Sequence, residues 1–547
     1  MKKLTNFLFA CLAVMTAQAQ VQKSQPINPS DAGTHYINPI VRADFSDPDV
    51  IRVGSTYYMV STTMYHFPGA TILKSEDLIN WEYCAQPLKA LLDDDRYNLQ
   101  NGQNAYAKGM WASSMKYHNG RFWLLVNGND NRAWLLSAAD PEGEWDVKRL
   151  SRNYYDPGML FDGDKVYIAC GYCNISMCEL DADFNFIREK EIIVRERSGL
   201  EGCHVYKIGD YYYIYATYGG FPSGQAAFRS KSPFGPFEEK VLVEKNYGGK
   251  INTIHQGALF DDIEGKWWTV MQEDLGALGR FPNLLPVEWQ DGWPIVAGGV
   301  RPPVSFVDKV PRPASNDKRI KCLPTSDDFS EQTLGMQWQW NHNPVEGAWS
   351  LKERQGWLRL KTVGVSQDLH QAQGMLTQRI FADPEHASTG TIRLDVKGLK
   401  EGDRAGICIF QDPYAQICVE KIPSNSPLKG ENKDSLPLRE GRGGSSYQLV
   451  WRQDKVRNAG RGFEAAEKTV SIKPKKGIVW LRAAIKYGDN KAYFFYSLDG
   501  KNWERLGGET QQSFNLTVFV GSRFGIFCYA TKQQGGYADF DWFSTEP

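Results

Sequence analysis

Glu201-Gly-Cys-His-Val-Tyr-Lys-Ile-Gly-Asp-Tyr-Tyr-Tyr213 is a polar leader, an alternating apolar strand, a Gly-Asp turn and an aromatic strand that returns beside the first. The pattern recurs four more times: residues 47–58 (DPDVIRVGSTYY), 111–123 (WASSMKYHNGRFW), 156–167 (DPGMLFDGDKVY) and 255–268 (HQGALFDDIEGKWW). The leaders stand at 47, 111, 156, 201 and 255, a recurrence close to the roughly 40–50 residues of a four-stranded propeller blade. Five units predict five blades around one axis. No sustained helical period interrupts residues 37–304, so this half reads as all-β.

Outside the repeat the chain divides readily. Residues 1–19 begin with Lys2 and Lys3, continue in an apolar run to Met15 and end in Ala17-Gln18-Ala19, which predicts a signal peptide and an exported, periplasmic or secreted protein. A lipid anchor on Cys11 is the alternative, disfavoured by the bulky Leu8-Phe9 before it. A leader over 20–36 precedes the propeller (37–304). Residues 305–326, rich in Pro, Lys and Ser, form a linker, and 327–547 alternate as an antiparallel sandwich. The extra length at 91–108 reads as a loop over one face of the ring, and 423–446 as a mobile insertion. The turns at Ser75-x-Asp77-x-x-x-Trp81 and Ser497-x-Asp499-x-x-x-Trp503 read as structural.

Composition narrows the partners. With 63 basic and 64 acidic residues the net charge is -1, which gives no case for nucleic acid. No apolar run beyond the leader is long enough for a membrane span. The 17 Trp and 26 Tyr suit strands and sugar-stacking surfaces alike. Cys170-x-x-Cys173 lies in a strand with no second pair, so free thiols are expected over a metal site, with a Cys170–Cys178 bridge the alternative. No motif implies an organic cofactor.

Because each leader opens an inner strand, the five should ring one mouth of the channel: Asp47, Trp111, Asp156, Glu201 and His255. Three carboxylates in one ring repel one another, which a purely structural ring would avoid. Glycoside hydrolysis uses such a set: one acid protonates the leaving oxygen, one carboxylate acts on the opposite face of the sugar, and a third raises the pKa of the acid.

At these residues the chain resembles glycoside hydrolase family 43. The resemblance rests on Asn38-Pro39-Ile40, Ser46-Asp47-Pro48-Asp49, Phe67-Pro68-Gly69, Trp111-Ala112, Asp156-Pro157 and Glu201-Gly202-x-His204. Asp327-Asp328-Phe329 and Ala538-Asp539-Phe540-Asp541-Trp542-Phe543 are similar to the sandwich of the family's β-xylosidase branch. It implies a five-bladed propeller with a jelly-roll, concanavalin-like sandwich, and an exo-acting, inverting enzyme that removes terminal xylose or arabinofuranose from xylan-derived saccharides. It further implies Asp47 as general base, Asp156 as pKa modulator and Glu201 as general acid. Inversion predicts a base-to-acid separation of ~6.5–9.5 Å. Arg280, Trp111, Phe67 and His255 are the expected sugar contacts, with Tyr65 a further stacking candidate. Asp49 is a weaker catalytic candidate, and His204 is expected to hold local backbone. No metal is expected in the site, although a calcium ion near His255 is left open. A sandwich loop, with 523–527 as candidate, is expected to close the pocket.

Three other readings are weighed. Retaining fructan-cleaving propellers would show Asn-Asp-Pro and Arg-Asp-Pro, against Ser46-Asp47-Pro48 and Tyr155-Asp156-Pro157 here. A hydrolase of arabinan or galactan shares the ring. A noncatalytic carbohydrate-binding protein shares the fold but has no use for three crowded acids.

Overall fold

The computed structural model describes residues 34–91, 94–194, 199–220, 222–245, 254–315, 323–423, 446–455 and 465–546. The leader expected at 1–19, most of 20–36, nearly all of the insertion at 423–446 and part of the linker lie outside these residues.

Five four-stranded antiparallel sheets make the propeller. The inner strands are Asp49–Val53, Met110–His118, Gly158–Asp162, Glu201–Ile208 and Ile254–Asp261. Each turns into the second strand of its blade through a glycine at positive φ: Gly54, Gly120, Gly163, Gly209 and Gly265. Such turns match the twist of a hairpin and disfavour residues with a Cβ. Every blade is built from strands of its own segment, so the ring closes without strand exchange, and the Ile40 N–H donates to the Pro282 carbonyl across the closure. Between the first and fifth blades, Asn38 bonds both the N–H and the carbonyl of Leu284, and Arg52 pairs with Asp261.

The sandwich is two sheets around one apolar core that includes Trp338, Ile392, Ile407, Ile409, Leu481 and Phe540. Its more extensively buried sheet is covered on both faces. Along Asp403–Phe410, Ile407 and Ile409 point into the sandwich core, while Cys408 and Phe410 pack with Met64, Phe67, Tyr97 and Met110 of the propeller. Period-two alternation thus serves two cores. The sheet also takes in a propeller strand, His66–Phe67, which pairs with Gln339–Asn341. The sequence reads the two halves as linked domains; the structure joins them as one packed body.

Two expectations are corrected here. Phe67 lies in that shared strand, 0% exposed and against Tyr97, so it offers no face to a sugar. Tyr65 is equally buried. The segment 523–527 is not a loop: Arg523–Ala530 is a fully buried central strand, and Arg523 bonds Thr377 and Gln339. The eight described cysteines are all free thiols, Cys170 and Cys178 among them.

Candidate active site

The leaders reach the channel mouth by two devices. Asp47 and Asp156 stand just before their ladders, each followed by a proline that has no N–H to donate. Trp111, Glu201 and His255 instead sit at register shifts where a bulge opens their strands. The left-handed residues are Asp47 (φ 51), Asp156 (φ 46), Gly202 (φ 64) and Gln256 (φ 45). Glu201 and His255 are therefore one residue out of phase with the two aspartates, which the repeat alignment does not show. A left-handed non-glycine residue costs about 1–3 kcal/mol and persists where the surroundings enforce it. A Cβ at Gly202 would meet the Gln256 side chain at 2.7 Å, so a larger residue there forces Gln256 to move.

Asp47 is 5% exposed and accepts three side-chain hydrogen bonds, from Thr62 Oγ1 (2.6 Å), Arg280 Nη1 (2.9 Å) and Gln272 Nε2 (3.2 Å). Its own N–H donates to Gln272 Oε1. Asp156 accepts from the Gly202 N–H through Oδ2, while its buried Oδ1 has no hydrogen-bond partner. Glu201, partly exposed, accepts from Tyr155 Oη at 3.1 Å.

Burial pushes the Asp156 carboxyl well above its ordinary value, and the charges of Glu201 and Asp47 push it further. Glu201 is raised by burial and then by Asp47, against the Tyr155 hydrogen bond, His255 and Arg280. Asp156 and Glu201 titrate as a pair, and their mutual repulsion favours keeping one proton between them.

Arg280 is nearly buried. Nη1 is given to Asp47, and Nε and Nη2 have no hydrogen-bond partner. Its backbone N–H donates to Asp44 Oδ1, and Asp44 Oδ2 accepts from the Gly521 N–H of a sandwich loop. That loop, 512–522, is the sandwich's contribution. Phe519 stacks on Trp111 at 4.9 Å and 18°, and lies 5.2 Å from the Arg280 guanidinium carbon; Phe514 lies 5.9 Å from it. Trp111 also meets Tyr155, and its buried Nε1 has no partner.

His255 bonds Thr217 Oγ1 through Nδ1 (3.3 Å) and Asp274 Oδ2 through Nε2 (3.2 Å). Both ring nitrogens are committed, and no three-ligand cluster forms around it among the described residues.

Asp49, which opens the inner strand that Asp47 precedes, is a structural hub: it accepts from the Met115 N–H (2.7 Å) and contacts Lys116 Nζ (3.5 Å) and His204 Nδ1 (3.1 Å). His204 thus holds a carboxylate, not local backbone. Sequence reasoning missed Thr62, Thr217, Gln272, Tyr155 and Phe519. A signal existed for two of them, because antiparallel pairing sets Thr217 opposite Glu201 and Gln272 opposite His255.

Residues 36–294 match the family described as "Glycosyl hydrolases family 43", and 326–546 match "Beta xylosidase C-terminal Concanavalin A-like domain". A beta-xylosidase of Formosa agariphila is 29% identical over 97% of this chain and 93% of its own length. A non-reducing end alpha-L-arabinofuranosidase of Bacteroides ovatus is 30% identical over 70% of this chain and 75% of its own. Among solved structures, a bifunctional GH43-CE protein of Bacteroides eggerthii superposes with a TM-score of 0.81 at 32% identity, covering 96% of this chain and 64% of that one.

Proposed function

The chain belongs to glycosyl hydrolase family 43, and on that premise we propose that it removes terminal β-xylose from xylan-derived saccharides by a single inverting displacement. Glu201 gives its proton to the glycosidic oxygen as the bond to the anomeric carbon breaks. Asp47, aimed by Thr62, Gln272 and Arg280, takes a proton from the water that attacks the opposite face. Asp156 holds the Gly202 backbone beside the acid and opposes its ionisation. General acid and base steps of this kind each contribute roughly 10²–10⁴-fold. Chain-end action is supported by the 512–522 loop, whose Phe519 covers Arg280 and Trp111.

The observation that carries this reading is charge imbalance: three carboxylates share one arginine, and two of the three are held toward their protonated forms. Hydrolysis of nitrophenyl β-xyloside compared with nitrophenyl α-arabinofuranoside, with the first product anomer read by NMR, tests it. α-Xylose released first supports the proposal; β-xylose released first refutes inversion. A second reading, α-L-arabinofuranosidase action, is favoured by the Bacteroides ovatus relative and predicts the opposite substrate preference. Export is supported by Lys2-Lys3, the apolar run and Ala17-Gln18-Ala19; a reporter fused to residues 1–19 that stays in the cytoplasm would exclude it.

A further inference from the structure

The sandwich carries a second cluster of chemistry-bearing side chains that the hydrolytic site does not use. Asp368 and His370 flank and form the short turn Leu369–Gln371, and Asp454 follows the strand Ser446–Gln453. Each offers one ligand atom, and the three lie within 4.8 Å of one another.

The histidine sets the chemistry. Its side chain is 1% exposed, with Nδ1 lying 3.5 Å from Asp368 Oδ1 and 3.8 Å from Asp454 Oδ2. Nε2 faces the Gln411 carbonyl at 3.1 Å; a carbonyl only accepts, so the hydrogen is on Nε2. Nδ1 is left facing the two acids, buried and without a hydrogen-bond partner. A backbone carbonyl that fixes one ring nitrogen as donor is the usual support of a histidine that ligates through the other. Separations of 3.5 and 3.8 Å are too long for hydrogen bonds, yet they suit atoms sharing one ion at about 2.0–2.2 Å.

We propose that Asp368, His370 and Asp454 bind a divalent transition ion of the zinc class, with water completing the tetrahedron. One imidazole and two carboxylates suit such an ion better than calcium, which takes six to eight oxygens. Arg452 Nη2 lies 3.8 Å from Asp454 Oδ1, and Oδ2 is the oxygen that faces His370 Nδ1. The site also sits at the seam between the two halves: the His370 carbonyl accepts from Tyr106 Oη at 2.7 Å, on the 91–108 loop of the propeller. A bound ion would stiffen that seam.

Full-length protein stripped with EDTA and desalted is titrated with zinc chloride, and separately with calcium chloride, by calorimetry and thermal melting. Saturable uptake of one zinc equivalent with a raised Tm is expected, and no comparable calcium response. His370→Gln and Asp368→Asn should each weaken zinc by more than the ~10–100-fold typical of losing an outer partner. The histidine is buried, so its variant can fail to fold. Asp368 is 30% exposed on its side chain, and asparagine keeps the oxygen that caps the His370 N–H. Absence of zinc uptake by the wild type, or unchanged zinc affinity in a folded Asp368→Asn variant, overturns the site.

Discussion

Asp47 and Asp49 stand two residues apart, one just before the first inner strand and one at its start, and the surroundings of each define two kinds of charged cluster. Asp49 is satisfied on every side. Burial opposes its charge, but Lys116, His204 and the Met115 N–H outweigh burial and hold its pKa at about 2. One step outward, the mouth gathers Asp47, Asp156 and Glu201 against a single arginine, and Asp156 and Glu201 are driven upward. The inner cluster neutralises charge and binds blades together; the outer one keeps charge in excess and holds a proton ready. Their dependence on pH is therefore opposite. Asp49 contributes stability that is present above its unfolded value near 3.9 and lost as pH falls toward 2. The raised pair favours the fold at low pH and loses that contribution as pH rises through its own values.

Substitution separates the two clusters. Glu201→Gln should lower kcat by about 10³–10⁴-fold on an unactivated xyloside, since the proton donor is gone, while sugar binding persists by calorimetry. It should also raise Tm slightly, because it removes charge from a crowded site. Turnover within tenfold of wild type would show that another group is the acid. Asp49→Asn should do the reverse. It leaves Lys116 without its buried counter-charge and destabilises by about 3–5 kcal/mol in denaturant melts, with kcat of the remaining folded protein changed only a few-fold. Loss of activity without loss of stability would place Asp49 in the chemistry.

Why one cluster could be read from sequence and the other only in part follows from how each is built. Asp47 and Asp156 announce themselves by position: each precedes a proline and a β-strand in a recurring unit, and the repeat maps onto five sheets. The family resemblance and the five-bladed ring with its sandwich were legible for the same reason. Glu201 was legible as a member of the ring but not in its phase, because a bulge shifts it by one residue relative to the aspartates, and bulges leave no fixed sequence mark. Phe67 was misread because it stands beside motif residues, while the pairing that buries it comes from Gln339–Asn341, more than 270 positions away. A still longer separation in sequence hid Phe519, whose approach to Trp111 depends on how the sandwich docks.

Asp156→Asn sharpens the comparison through the pH profile. Activity requires the shared proton on Glu201 and falls as pH rises past the raised pKa of the pair. Asparagine removes one of the repelling charges, so the alkaline limb of kcat should move to lower pH, by about one unit for each 1.4 kcal/mol of repulsion relieved, with kcat near neutral pH falling about 10–100-fold. A limb that stays in place would mean that Asp156 acts only by holding the Gly202 N–H.

The smallest effect belongs to the contact that the sandwich lends the mouth. Phe519 stacks on Trp111 and covers Arg280, yet it touches none of the three acids by a hydrogen bond. An aromatic pair is worth about 0.5–1.5 kcal/mol beyond its buried area, so Phe519→Ala should raise KM by roughly 2–10-fold and leave kcat nearly unchanged. The alkaline limb should stay in place, because the charges around Glu201 are untouched. If kcat fell with KM constant, the loop would be setting the geometry of the acids instead of the fit of the sugar. The boundary between a charged cluster that does chemistry and an apolar wall that shapes its entrance would then have to be drawn inside the sandwich.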